Sequence, residues 1–115
     1  MIEYTDLFKV YLSSSTQIES NDFEDGLEAV YKNDGKVAFH CEKEDMFGPP
    51  GSNLVEHNED HRPPKCEVGA IKSLSDYPEG DKHVCHISTK DGLTVAKEKG
   101  YSTEVTPHHL YLNQE

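Results

Sequence analysis

Two apolar runs bracket the first third of the chain. Residues 7–12, Leu-Phe-Lys-Val-Tyr-Leu, are apolar but for Lys9 and are followed by Ser13-Ser14-Ser15-Thr16. This is the pattern of a buried parallel strand closed by a turn. Residues 36–41, Lys-Val-Ala-Phe-His-Cys, repeat it and end on a histidine. Between them Phe23, Leu27, Val30 and Tyr31 fall at i, i+4, i+7 and i+8, one face of a helix predicted over 22–33, which Asn33-Asp34-Gly35 closes. Residues 44–64 carry Gly48-Pro49-Pro50-Gly51 and Pro63-Pro64 among charges and are expected to form a long loop. A helix over 64–75 follows, prolines at its entry and Cys66, Ala70, Ile71 and Leu74 inward. A third strand is expected over 82–88. Asp91 can cap a helix over 91–99 that Gly100 ends, and a fourth strand over 102–106 runs into Pro107-His108-His109.

The order is β-α-β-loop-α-β-α-β. Strands alternating with helices imply an α/β fold of parallel βα units with right-handed crossovers. A (β/α)₈ barrel of the TIM type needs about 250 residues, so the 115 residues amount to a partial, half-barrel domain over 1–115.

Composition narrows the partners. Eleven basic against 22 acidic residues give a net charge of -11, which repels nucleic acid and anionic membranes. No apolar run spans a bilayer, and the opening residues have no basic or long apolar stretch of a signal peptide. Three widely spaced cysteines fit a reducing, cytoplasmic setting better than a disulfide scaffold. Seven histidines in 115 residues point to metal or acid–base chemistry.

Ligands of parallel α/β folds bind at the carboxyl ends of the strands. Strand alternation groups Leu7, Lys9 and Tyr11; Ala38, His40 and Glu42; Val84, His86 and Ser88; and Glu104, Thr106 and, if the strand continues, His108. Lys9, His40, His86 and Glu104 are thus one candidate from each strand. Each has a plainer reading. A strand histidine is commonly a hydrogen-bonded structural residue, and a strand lysine commonly snorkels or marks an edge. His57, His61 and His83 are expected to be solvated, as is the acidic start of the loop at 42–45. His108-His109 can cap a turn or touch substrate. Phosphate-cradling glycine motifs, CxxC pairs and HExxH are absent from the sequence.

The ordered segments Phe8-Lys9-Val10-Tyr11, Phe39-His40-Cys41-Glu42, Arg62-Pro63 with Glu67 and Ala70, Cys85-His86-Ile87-Ser88 and Glu104-Val105-Thr106-Pro107-His108-His109-Leu110 resemble the dihydroorotase family of the amidohydrolase superfamily. Hydantoinases and allantoinases share the lysine and histidine pattern; the Pro-His-His-Leu ending is closer to dihydroorotase. The resemblance implies a (β/α)₈ barrel of which these are strands four to seven, with two divalent metals, usually zinc, at the strand ends. Lys9 matches a lysine that CO₂ carboxylates to bridge the metals, and His40 and His86 match two ligands. The implied substrates are dihydroorotate and carbamoyl aspartate, in pyrimidine synthesis.

The departures are as informative. Nothing in the chain matches the family's His-x-His pair, its substrate-binding arginine or its acid–base aspartate, so no catalytic residue of that kind is assigned. Cys85 and Glu104 could hold an additional metal, although regular alternation turns Cys85 away from His86. His108 and His109 are candidate substrate contacts. Three outcomes remain open: part of a zinc dihydroorotase completed by a missing barrel half, a non-catalytic half-barrel or assembly module that forms homo-oligomers, and a small α/β binding module.

Overall fold

In the computed structural model, residues 6–12, 20–50 and 60–112 are described. Four strands, β1 (Leu7–Tyr11), β2 (Lys36–His40), β3 (Asp81–Val84) and β4 (Ser102–Thr103), form one sheet in the order β1-β2-β3-β4. Every pairing is parallel, with Lys9 opposite Ala38, Ala38 opposite His83 and His83 opposite Ser102. The connections carry α1 (Ser20–Lys32), α2 (Pro64–Ser73) and α3 (Lys90–Glu98), and α4 (Pro107–Tyr111) follows β4. Short 3₁₀ turns occupy Glu44–Met46 and Leu74–Asp76.

One face of the sheet is covered. Val37, Phe39 and Val84 point into a core with Leu27 and Val30 of α1, Ala70 and Ile71 of α2, Leu74, and Ala96 of α3. Phe39 and Ile71 are fully buried, each worth roughly 1.5–3 kcal/mol of transfer free energy. Phe23 and Tyr31 pack at the rim of this core, so all four residues of the expected α1 face turn inward. Consecutive parallel strands joined by crossovers of one hand put all their helices on one side. The opposite face, bearing Lys9, Ala38, His40 and His83, receives no helix among the described residues. The strand at each edge is flanked by exposed apolar side chains: Leu7 and Tyr11 on β1, and Val105, Leu110, Tyr111 and Leu112 beyond β4.

Four expectations are corrected. The third strand stops at Val84, not residue 88, because His86 adopts φ 36° and turns the backbone out of the sheet. The fourth stops at Thr103, and residues 107–111 form α4 rather than a continuation. Val84, grouped above with His86, belongs to the helix-covered face. Finally, α3 is capped by Thr89, whose side chain accepts a hydrogen bond from Gly92 N–H, whereas Asp91 lies in the first turn. Gly100, at φ 75°, ends α3 as expected.

Candidate metal centre

His40 ends β2, an interior strand flanked by β1 and β3, which Val37 and Phe39 anchor to the core on the opposite face. His86 follows β3. Its left-handed backbone breaks the alternation and swings the imidazole to the open face, where His86 Nε2 lies 3.0 Å from His40 Nδ1. The rings meet edge to face at a centroid distance of 4.8 Å. Burial, followed by the neighbouring His40, holds the His86 imidazole below its ordinary pKa and favours the neutral ring.

The other nitrogen of His40 is also occupied. His40 Nε2 lies 3.1 Å from Glu42 Oε2, and Arg62 Nη2 donates to the same oxygen. Burial alone would raise the Glu42 pKa; the hydrogen bond from His40 and the charge of Arg62 outweigh it and hold the carboxyl below its usual range. With Nε2–H donated to Glu42, Nδ1 presents its lone pair toward His86. Glu42 is half-buried and part of this network, so the expectation of a solvated loop start fails at this position. The His-x-Glu spacing was the available signal: residues i and i+2 share a face while the chain stays extended.

Lys9 lies on the same face. Its ammonium is 5.3 Å from the Tyr11 ring centroid, and Tyr11 packs on His40 at 5.4 Å. Beside it, donor atoms of His83, Cys85 and Glu104 all fall within 4.8 Å of one another. Cys85 is on the open face because it alternates with Val84, and the turn at His86 lets consecutive residues serve the same side. His83 was expected to be solvated. It is instead half-buried, hydrogen-bonded to Ser102 Oγ at 2.8 Å and 3.6 Å from Glu104. Burial and then Glu104 push the Cys85 thiol up against the opposing Lys9; burial would raise Glu104 as well, but the neighbouring Cys85, the His86 backbone and His83 hold its carboxyl below the usual carboxylate range.

His61 is likewise not solvated: it is half-buried, and its Nδ1 contacts the Gly48 carbonyl. His57 lies outside the described residues. His108 and His109 sit in the first turn of α4 and contact Thr106 Oγ1 through ring nitrogens, at 2.9 and 3.1 Å. They form a cap rather than joining His40 and His86.

The donor set suits a divalent ion of the zinc type. Two nitrogens on one tetrahedral zinc are about 3.3–3.4 Å apart when each bond is about 2.0–2.1 Å. The observed 3.0 Å separation requires only a slight opening, and the carboxylate behind His40 is the usual outer partner of a ligating histidine.

Parallel βα units with helices on one face and a histidine-bearing polar face on the other form the architecture of part of a (β/α) barrel. No family profile matches the chain. The chain is 35% identical over 116 residues to a dihydroorotase of Pyrococcus horikoshii, with 95% of this chain and 25% of that protein covered. It is 30% identical over 113 residues to a dihydroorotase of Aeropyrum pernix, covering 94% and 26%. In fold it matches a D-hydantoinase (dihydropyrimidinase) from Thermus sp. with a TM-score of 0.73 at 21% identity, over 95% of this chain and 28% of that one. A dihydropyrimidinase from Brevibacillus agri matches with a TM-score of 0.68 at 20% identity, over 96% of this chain and 28% of that one. Over nearly all of its length the chain resembles one stretch of the dihydroorotases, and it spans about a quarter of the length of the curated relatives it matches.

No helix among the described residues is long and apolar enough to cross a membrane.

Proposed function

We propose that this chain supplies part of the metal centre of a dihydroorotase, the enzyme type that opens the cyclic amide of dihydroorotate and closes carbamoyl aspartate in the reverse direction. The observation that carries the reading is the convergence of His40 Nδ1 and His86 Nε2, with Glu42 fixing the tautomer of His40. His40 and His86 would hold a divalent ion, usually zinc in this family. Lys9, on the same face, would bridge a second ion once its amine has taken up CO₂ and released a proton. When bound, such ions supply Lewis acidity toward an amide carbonyl. The chain's own contribution is positional: β2 and the turn after β3 aim the two rings, and the hydrogen bond with His40 together with the charge of Arg62 favours the ionised Glu42 behind them. The acid–base group and the remaining ligands of the family are not assigned to any residue of this chain.

His83, Cys85 and Glu104 are proposed as an additional zinc site. Nitrogen, thiolate and carboxylate are all zinc donors, and these atoms are mutually within 4.8 Å. We further propose that the edges at β1 and β4 receive strands from a complementary barrel half or a second copy, which would cover the apolar residues exposed there. A hydantoinase-type cyclic amidohydrolase is the second reading, supported by the fold neighbours.

The test is zinc binding by competition with a chromophoric chelator. The wild-type chain should bind zinc, and His40→Ala and His86→Ala should each weaken binding at the paired-histidine site. Affinity and stoichiometry unchanged in both variants would overturn the assignment.

A further inference from the structure

We propose that Glu67, on α2, is the positioning residue for His86. The observation is a clamp. Glu67 is buried, and its two carboxylate oxygens accept four hydrogen bonds from the turn that follows His86. Ser88 N–H and Ser88 Oγ donate to Oε2 at 2.9 and 2.8 Å. Thr89 N–H and Thr89 Oγ1 donate to Oε1 at 3.0 and 2.6 Å. Each oxygen thus takes one backbone and one hydroxyl donor, an arrangement that fixes both the position and the orientation of the turn.

The turn needs such a hold. His86 is a non-glycine residue at φ 36°, a conformation costing on the order of 1–2 kcal/mol that persists only where the surroundings over-determine it. On its N-terminal side, Cys85 N–H donates to the Phe39 carbonyl; on its C-terminal side, Ile87 N–H donates to the Glu104 carbonyl and the Ile87 side chain is buried. Glu67 supplies the next fixed point, and it does so from the helix layer, on the far side of the sheet from His40. The same clamp reaches α3, because Thr89 Oγ1 also accepts from Gly92 N–H as its N-cap. Gly92 makes room for this: a Cβ there would collide with Glu67 Oε1. Glu67 therefore ties the start of α3 to the turn that aims His86, without touching His86 or anything bound to it.

A glutamine cannot replace it. Its amide offers one oxygen, and its NH₂ would face two donors, leaving buried N–H and hydroxyl groups unsatisfied. Relaxation of the turn would let His86 leave the left-handed region and separate its Nε2 from His40.

The consequence for metal rests on the reading above, so the test has one arm that does not need metal. In the metal-free chain at fixed pH, imidazole ¹⁵N shifts and the histidine–histidine through-space contact report the His40–His86 pairing. Glu67→Gln should abolish that pairing, and Ser88→Ala/Thr89→Val, which keeps the backbone donors, should weaken it. A control, Leu27→Ala on α1, lowers stability away from the turn and should leave the pairing intact. In the second arm, cobalt(II) titration should show at least tenfold weaker binding in Glu67→Gln. Pairing preserved in a folded Glu67→Gln, or lost equally in Leu27→Ala, would overturn the positioning role. A wild-type chain that keeps the pairing but binds no cobalt would overturn the metal reading alone.

Discussion

His40 and His86 are 46 positions apart, yet His40 Nδ1 and His86 Nε2 lie 3.0 Å from each other on the uncovered face of the sheet. One ring is aimed by a regular strand and the other by a left-handed residue just past a strand end. Their pairing relies on two supports, Glu42 beside His40 and Glu67 behind the turn of His86.

Glu42 gives the first prediction. In Glu42→Gln the carboxylate that selects the Nε2–H tautomer of His40 is lost, and Arg62 loses its partner. Zinc affinity is expected to fall about 10–100-fold, measured by chelator competition. An affinity equal to wild type would remove Glu42 from the site.

Cys85 gives the second. If His83, Cys85 and Glu104 bind zinc, Cys85→Ser should reduce the metal content of the purified protein while leaving the contribution of His40 and His86 in place. Metal analysis of Cys85→Ser beside His86→Ala separates the two sites. Unchanged zinc in Cys85→Ser would leave Cys85 as a plain buried thiol.

Tyr31 gives the third. Its hydroxyl is buried with no hydrogen-bond partner among the described residues, and burial, followed by the charge of Asp81, pushes its pKa up to about 12. Tyr31→Phe removes an unsatisfied group and is expected to hold or raise stability by up to about 1 kcal/mol. The pH dependence has a definite sign. An unfolded tyrosine ionises near 10 and the folded one near 12. Between those values the unfolded chain binds fewer protons, so stability is complete below about pH 10 and is lost as pH rises toward 12. Urea titrations across that window should show a steeper loss in wild type than in Tyr31→Phe.

Leu74 gives the fourth. It is fully buried in the 3₁₀ turn after α2 and belongs to the core beneath the sheet. Leu74→Ala is expected to cost about 2–5 kcal/mol, read as a lower urea midpoint with an unchanged slope. A loss under 1 kcal/mol would mean that this layer is loosely packed.

Turnover gives the fifth. The 115-residue polypeptide alone, supplied with zinc, is expected to show no hydrolysis of dihydroorotate. Its resemblance to the family assigns Lys9, His40 and His86 as ligands but no acid–base aspartate and no His-x-His pair. Zinc-dependent turnover by the isolated chain would mean that other residues supply those functions.

The sequence by itself determined the parallel βα order, the core faces of α1 and α2, and the side on which Lys9 and His40 lie. Those features follow from periodicity: apolar runs make buried strands, 3.6-residue spacing makes helix faces, and alternation holds wherever the backbone stays extended. The resemblance of the ordered segments to dihydroorotase was legible for the same reason, since it rests on residues at strand ends.

Only the tertiary structure decided the rest. The reach of β3 and the side taken by His86 depend on one left-handed residue, held by Glu67 from a helix 21 and 22 positions away from its partners Ser88 and Thr89. Alternation fails there because the backbone is no longer extended. The environments of Glu42, His61 and His83 depend on Arg62, Gly48 and Ser102, partners that come close only once strands and loops are packed. Exposure of a polar side chain is a property of its neighbours in space, and local pattern carries no information about them.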